Sequence, residues 1–402
     1  MNESLRTATE LRRQRLRQRL TNHEGILLLN TPQYPAQRDR YLSYASDTSF
    51  RYLTGSEEPE AALFLTKDEE LFFHRVRTPR EIDFDGVGPD WSKLFLKSKM
   101  QVRDLSALVK VVQSFDLKDL QVVAGVHVPH DLLFSSLGVR LKNDLESWLT
   151  EMRWRKDEIE ISSMRRAGQI AAKGHLDLEK FIKAGASESE LKDQYQFLVK
   201  RLGSGPLPYN SIFAGGSNAT ILHHVKSEER GLNEVGLLVD AGASFEGYAS
   251  DCTRTHWIGQ SCDEFLEIHR SVQHAHDEAI KTLGRLKVSL QELHAMTEQV
   301  LFDDLRPLLK LNSMADLREL FFHKTSHWIG LDVHDPDPDR FLASQPIVAG
   351  VSLTIEPGIY FRERVKDKYP RYANIGVRIE NTVLKTDADH GFEILTRVPT
   401  VN

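Results

Sequence analysis

A chain of 402 residues exceeds what one typical hydrophobic core organises, so two domains are expected. Hydrophobic residues at 40% and charged residues at 27% are the composition of a soluble globular protein, and no apolar run approaches the roughly 20 residues that span a membrane. A net charge of -6 supplies no overall basic field, which argues against nucleic acid as the main partner and favours small or peptide substrates.

The N-terminal stretch MNESLRTATELRRQRLRQRL carries arginines at positions 12, 13, 15, 17 and 19 but lacks the apolar core of a secretory signal. Leu11, Leu16 and Leu20 form one stripe of a helix, which places the arginines on its solvated face. A contact of this helix with nucleic acid or a partner is the subsidiary reading. From Gly25 to about Val126 the apolar runs GILLLN, AALFLT, ELFFHRV and LQVVAGV alternate with turn-rich or charged stretches and read as strands of a mixed sheet. Helical periodicity sets in at about Asp157 and Gly185 marks its stop. The domain junction therefore falls near residue 150, with a smaller mixed α/β domain over 1–150 and a second domain over 151–402. The second contains a helix around Glu188 to Leu202, strands around Val235 and Gly247, helices across 264–283 and 289–309, and the strand-like segments VSLTIEPG and NIGVRIEN. The fold class is α+β. Only two cysteines occur, Cys252 and Cys262, and this sparse usage points to free thiols in a reducing compartment and a cytoplasmic location.

The chemistry concentrates between Asp240 and Glu380, where Asp240, Asp251, His327, Glu356 and Glu380 occur in the order Asp, Asp, His, Glu, Glu. Four carboxylates with one imidazole are an oxygen-rich donor set suited to manganese, cobalt, zinc or iron. GLLVDAGASFEGY followed by ASDCTRTHWIG reads as two strands with Gly242 and Gly247 at the turn, which returns Asp251 alongside Asp240. Either aspartate alone would be an ordinary turn residue. Glu356 stands before Pro357 and Gly358 at the end of a run of β-formers, where its carboxylate projects from a strand end. Glu380 lies two residues past Arg378 on a strand, so both side chains share a face, and Arg378 could satisfy Glu380 as a plain salt bridge. Two metals held side by side share a water and lower its pKa from about 15.7 toward neutrality, which makes hydroxide available to attack an amide.

Taken together these segments resemble the pita-bread family of metallopeptidases, and within it the proline-specific Xaa-Pro aminopeptidases. The resemblance covers most of the chain: DTSFRYLTGSEEPEAALFLT and FFHRVRTPREIDF look like the N-terminal domain of that branch, and SHWIGLDVHD looks like its catalytic segment. It implies a C-terminal pita-bread catalytic domain and an N-terminal domain serving substrate access and oligomerisation. It also implies two divalent ions, manganese foremost, with Asp240 holding one through both oxygens, His327 and Glu356 holding the other, and Asp251 and Glu380 bridging. Glu356 would move the proton, and His334 and His223 would meet the scissile carbonyl. His323 and Tyr209 would line the proline pocket, and Arg378 would support Glu380. His224 is read as a bystander. Peptides with an Xaa-Pro N-terminus are the implied substrates, a homodimer or homotetramer the implied assembly, with no nucleic acid or membrane. A prolidase restricted to Xaa-Pro dipeptides and a non-catalytic peptide- or protein-binding module are the alternatives.

The chain departs from the pattern in places. Asp83 stands where relatives carry a tryptophan, with Trp91 no obvious substitute, Glu146 stands where an arginine is expected, and Lys324 replaces a glycine. His256 and Trp257 read as a strand continuing out of the site.

Overall fold

The structure is a computed structural model that describes residues 3–399 apart from 38–39, 42, 97, 125–134, 261, 286, 339 and 388–390. The last two residues of the LQVVAGV run lie outside the described residues. The chain divides into two compact units, Met1–Glu151 and Met152–Asn402.

In the first unit, strands β1 (Glu24–Leu29), β2 (Pro35–Gln37), β3 (Arg40–Tyr41), β4 (Ala62–Leu65), β5 (Glu70–His74), β6 (Gln101–Asp104), β7 (Asp119–Ala124) and β8 (Arg140–Lys142) follow in chain order. Six of them form one sheet in the order β6-β5-β4-β1-β7-β8. β1 is antiparallel to β4 and parallel to β7, so the sheet is mixed, as the strand pattern implied. β1 and β4 are buried on both faces, which is why they read as continuous apolar runs instead of alternating ones. Trp91 is buried and its ring packs at a tilt against Phe72, centroids 5.0 Å apart, making it part of this unit's core.

The N-terminal helix Glu3–Arg17 corrects the sequence reading. Leu16 and Leu20 are buried as expected, but Leu11 is 51% exposed while Arg12 and Arg13 are 2% and 0% exposed. The reason is charge and carbonyl matching. Glu70, buried on β5, receives Arg13 Nε at 2.8 Å and Arg17 Nη1 at 2.6 Å. Arg12 and Arg13 also donate to the carbonyl oxygens of Tyr52 and Leu53, which lie at the end of the helix Thr48–Thr54 and lack helical partners. Arginines so engaged are not presented to nucleic acid.

In the second unit, strands β9 (Ile212–Gly215), β10 (Val235–Asp240), β11 (Ser244–Phe245), β12 (Tyr248–Ala249), β13 (Cys252–Ile258), β14 (Ser352–Ile355), β15 (Gly358–Tyr360), β16 (Gly376–Arg378), β17 (Glu380–Lys385) and β18 (Phe392–Ile394) occur. An antiparallel sheet runs β14-β17-β13-β10-β9, with β18 on β17. Helices Glu158–Leu178, Glu188–Arg201, Asp263–Arg285 and Leu290–Leu309 accompany this sheet. Three start at capping boxes readable in the sequence, Asp157 with Glu160, Ser187 with Glu190 and Ser289 with Glu292. The first of these helices ends earlier than expected. It closes at Leu178 and tightens into a 3₁₀ turn over Glu179–Phe181, whereas Gly185, at φ +88°, makes the turn that leads into the Ser187 cap. No helix among the described residues is long and apolar enough to cross a membrane.

Replacing Arg13 by Met should lower the stability of the chain by about 3 kcal/mol, because it leaves buried Glu70 with half its cationic partners. Denaturant unfolding of the full chain checks this, and a loss too small to detect would show that Arg17 alone suffices.

Candidate metal centre

Strand register builds the site. β10 pairs with β13 so that Asp240 faces Thr253, and β13 pairs with β17 so that Thr253 faces Glu380. β17 pairs with β14 through Asn381 and Ile355, which sets Glu356, the next residue, opposite Glu380. Asp251 lies two residues before Thr253 and shares its face. The ends of four adjacent strands thus deliver four carboxylates to one region. The short β11–β12 hairpin, turning at Gly247 with φ +83°, intervenes between Asp240 and Asp251. Gly242 is needed because a Cβ there would run into the Ser250 carbonyl oxygen and the Tyr209 ring.

His327 enters from the loop before β14, where its Nδ1 meets the Trp328 carbonyl oxygen at 3.1 Å, directing Nε2 inward. Nε2 lies 3.6 Å from Asp251 Oδ2 and 3.5 Å from Glu356 Oε1. Donor atoms of Asp251, His327 and Glu380 all fall within 4.8 Å of one another, close enough to share one ion. Asp240 joins through Tyr209, whose hydroxyl oxygen is 2.8 Å from Asp240 Oδ1 and 2.6 Å from Asp251 Oδ1. A phenol has one hydrogen to donate, so the two carboxylates cannot both be satisfied by it.

The electrostatics follow from this crowding. Burial first, with Asp240 adding to it, holds the Asp251 carboxyl well above the usual range. Burial followed by Asp251 and Glu356 does the same to Glu380. Burial lifts Glu356 to about 8 against the opposing pull of Arg378. Burial, helped by His334, lowers His327 to about 3, leaving a neutral imidazole able to ligate. Carboxylates that resist ionising together, beside a neutral imidazole, are a donor set completed by divalent cations.

Tyr209 and Arg378 both reach the aspartates. Tyr209 gives its hydroxyl to Asp240 and Asp251. Arg378 reaches Asp240 Oδ2 with Nη2 at 2.6 Å, while Glu380 is 4.0 Å from its Nε. The hydrogen bond to Glu380 comes from Thr253, at 2.6 Å. Thr253 and Tyr360 were not singled out in the sequence. Tyr360 is fully buried, with its hydroxyl 2.9 Å from both His323 Nε2 and Arg378 Nη1. Their signal was positional: Tyr360 lies on β15, opposite the strand that ends in Arg378, and Thr253 is two residues from Asp251.

His323 packs edge-on against Phe321 at 5.0 Å and lies 5.5 Å from the Tyr360 ring. His334 is exposed, its ring 4.1 Å from that of His327. His223 is exposed and near enough to His323 and His334 to disfavour their protonation. His224 faces Glu188, at 3.5 Å. Asp83, Glu146 and Lys324 are exposed. His256 and Trp257 continue β13, His256 buried and Trp257 packed on Phe265 at 5.3 Å. Both cysteines are free.

An oxygen-rich, one-imidazole centre at the strand ends of an α+β domain defines a metallohydrolase. Residues 162–387 match the model of metallopeptidase family M24, and residues 9–118 match that of the aminopeptidase P N-terminal domain. The chain belongs to metallopeptidase family M24, and its C-terminal unit has the pita-bread fold. It is 32% identical to an Xaa-Pro aminopeptidase of Haemophilus influenzae over 96% of this chain and 93% of that one. It is 29% identical to the Escherichia coli Xaa-Pro aminopeptidase, covering 98% and 96%. The structure of E. coli aminopeptidase P with the inhibitor Pro-Leu superimposes with a TM-score of 0.90 at 28% identity, covering 98% of this chain and 96% of that one. The E. coli enzyme has also been solved zinc-substituted with product, with a TM-score of 0.90 at 27% identity and the same coverage.

The titrations give a test. Glu356, at about 8 folded against 4.5 unfolded, contributes stability that is present below pH 4.5 and lost as pH rises through 8. Asp251 and Glu380 shift in the same direction. His323 and His327, lowered from 6.5 to about 3, act oppositely, but their contribution is already complete above pH 6.5. From pH 6.5 to 8 the melting temperature of chelator-treated protein should therefore fall, and added manganese should raise it most at pH 8. A melting temperature that stays level or rises across that window contradicts the crowded-carboxylate picture.

Proposed function

We propose that the chain is an Xaa-Pro aminopeptidase that uses two divalent ions, manganese foremost, held by Asp240, Asp251, His327, Glu356 and Glu380. The observation that carries this reading is the row of four carboxylates meeting one neutral imidazole at the ends of β14, β17, β13 and β10. When bound there, a divalent pair supplies an acidified water and a polarised amide carbonyl.

The protein's own groups do the rest. Glu356, the carboxylate nearest His327 Nε2, accepts the proton of the attacking water and returns it to the departing amine. His334 and His223, both exposed at the site, donate hydrogen bonds to the carbonyl oxygen as it gains charge. Tyr209, Arg378 and Thr253 hold Asp240, Asp251 and Glu380 in register for their ions. His323, with Phe321, Phe322 and Tyr360 around it, offers ring surfaces to a pyrrolidine, and an Xaa-Pro bond brings no amide hydrogen that this wall would leave unpaired. The N-terminal unit governs substrate access and self-association, a reading supported by the exposed Ile82, Phe84, Val87 and Leu96. The two free thiols fit a cytoplasmic setting.

The deciding assay is release of the first residue from an Xaa-Pro-Yaa tripeptide and from the matching Xaa-Pro dipeptide, using chelator-stripped protein resupplied with manganese. Metal-dependent cleavage of the tripeptide is expected. Cleavage of the dipeptide alone would make the chain a prolidase, and cleavage of neither, with metal bound, would leave a binding module. Asp251→Ala, His327→Ala and Glu380→Ala should each lower turnover at least about a hundredfold, since each removes an ion ligand. Near-normal turnover in all three would overturn the assignment.

A further inference from the structure

The loop His327–Asp335 carries both His327 and His334, and its two halves are anchored differently. The first half is tied to the sheet: His327 N donates to Thr354 Oγ1 at 3.1 Å, and Trp328 forms a bridge with Leu353. The second half, which carries His334, is closed by a cluster of buried charges. Arg153 Nη2 donates to Asp332 Oδ2 and to Asp335 Oδ1, both at 2.6 Å. Lys156 Nζ donates to Asp335 Oδ2 at 2.9 Å. The side chains of Arg153, Lys156 and Asp335 are 3%, 0% and 4% exposed, so the cluster is dry around Asp335.

The cluster brackets His334. Asp335 is its immediate neighbour, and Asp332 lies two residues before it. Asp335 Oδ1 also accepts from the Asp332 backbone N–H at 3.2 Å, while Asp335 N–H donates to the Trp328 carbonyl at 2.9 Å, so one carboxylate staples the loop across its mouth. The cations are fixed in turn. Lys156 N–H donates to the Gly350 carbonyl at 2.8 Å, immediately before the helix that Asp157 caps. Burial pushes the Asp335 carboxyl up, but Lys156 and Arg153 outweigh it and hold the group below the usual range, so this carboxylate stays ionised at neutral pH. Space is tight as well, since a Cβ at Gly330 would collide with Asp335 and crowd Lys156.

A buried ion pair is often no better for stability than apolar residues of the same volume, and what it adds is direction. His334 is exposed with its ring against that of His327, and the backbone that carries it sets where that ring can lie. We propose that Lys156 and Arg153 are positioning residues for peptide hydrolysis, which act through Asp335 and Asp332 to hold the His334 imidazole over the scissile carbonyl. This rests on the reading of His334 as a donor to that carbonyl.

The test compares the wild-type chain, Lys156→Met and the double variant Lys156→Met/Asp335→Leu, each loaded with manganese. Five readouts are taken: kcat and KM on an Xaa-Pro-Yaa tripeptide, bound manganese, melting temperature, and the separation of the His327 and His334 rings in crystals. Lys156→Met should lower kcat about a hundredfold while KM moves less than about threefold and metal content is kept. The double variant removes the charges in a pair, so its melting temperature should return toward wild type while kcat stays low and the rings part from 4.1 Å. A merely structural role would restore kcat together with the melting temperature, and that result, or wild-type kcat in either variant, overturns the proposal. Should the wild-type chain cleave no Xaa-Pro peptide, the activity reading falls by itself and ring separation decides the clamp. Rings that part sustain the positioning role, and rings unmoved at 4.1 Å refute it.

Discussion

Mutual repulsion among buried carboxylates is the constraint on which the catalytic unit turns. Neighbouring strands of a sheet lie about 4.8 Å apart, so a register that sets Glu356 opposite Glu380, with Asp240 beyond Thr253 and Asp251 on the same face of that strand, crowds four like charges into one region. Arg378 is one guanidinium among four carboxylates. A fold that keeps such a row needs more positive charge than the chain brings, and divalent ions are the natural supply. The imidazole stays neutral in spite of that row, because burial and His334 keep His327 unprotonated, which makes it a ligand and not a counter-ion.

The surrounding threonine, tyrosine and arginine are the mechanical side of that constraint. Thr253 sits between Asp240 and Glu380 in the sheet, donates to Glu380 and accepts from Arg378 Nε at 3.1 Å. Tyr360 ties Arg378 to His323, so the charged row and the aromatic wall around His323 form one hydrogen-bonded body. Charge matching recurs away from the site. Glu70 with Arg13 and Arg17 locks the N-terminal helix onto its sheet, and Asp335 with Arg153 and Lys156 closes the loop that carries His334. In each case a buried carboxylate is tolerated because its cations arrive with good geometry.

Much of this was legible in the sequence because local signals agreed with the fold. Helical periodicity announced the helices that begin after Asp157, Ser187 and Ser289, and the apolar runs of β1, β4, β5 and β7 announced a sheet. What stayed hidden depends on contacts between distant segments. Arginines in a polar helix pattern read as solvated, and only the meeting with Glu70, 57 positions from Arg13, turns them inward. Arg378 and Glu380 read as neighbours on one strand face, but Arg378 ends β16 and Glu380 begins β17 in another sheet, and the guanidinium reaches Asp240, 138 positions away, a choice set by strand pairing and invisible to spacing. The hydroxyl contact of Tyr209 is equally invisible to spacing, since the close approach of Ser250 to Gly242 is what brings Asp240 and Asp251 under it.

The most direct measurement is anomalous diffraction at the manganese absorption edge from crystals of the manganese-loaded chain. Two peaks are expected among Asp240, Asp251, His327, Glu356 and Glu380, with Asp251 and Glu380 touching both. Density without a peak among these five side chains, or peaks ligated elsewhere, would show that the carboxylate row is satisfied by protons and Arg378 alone, and would contradict a metal-dependent peptidase.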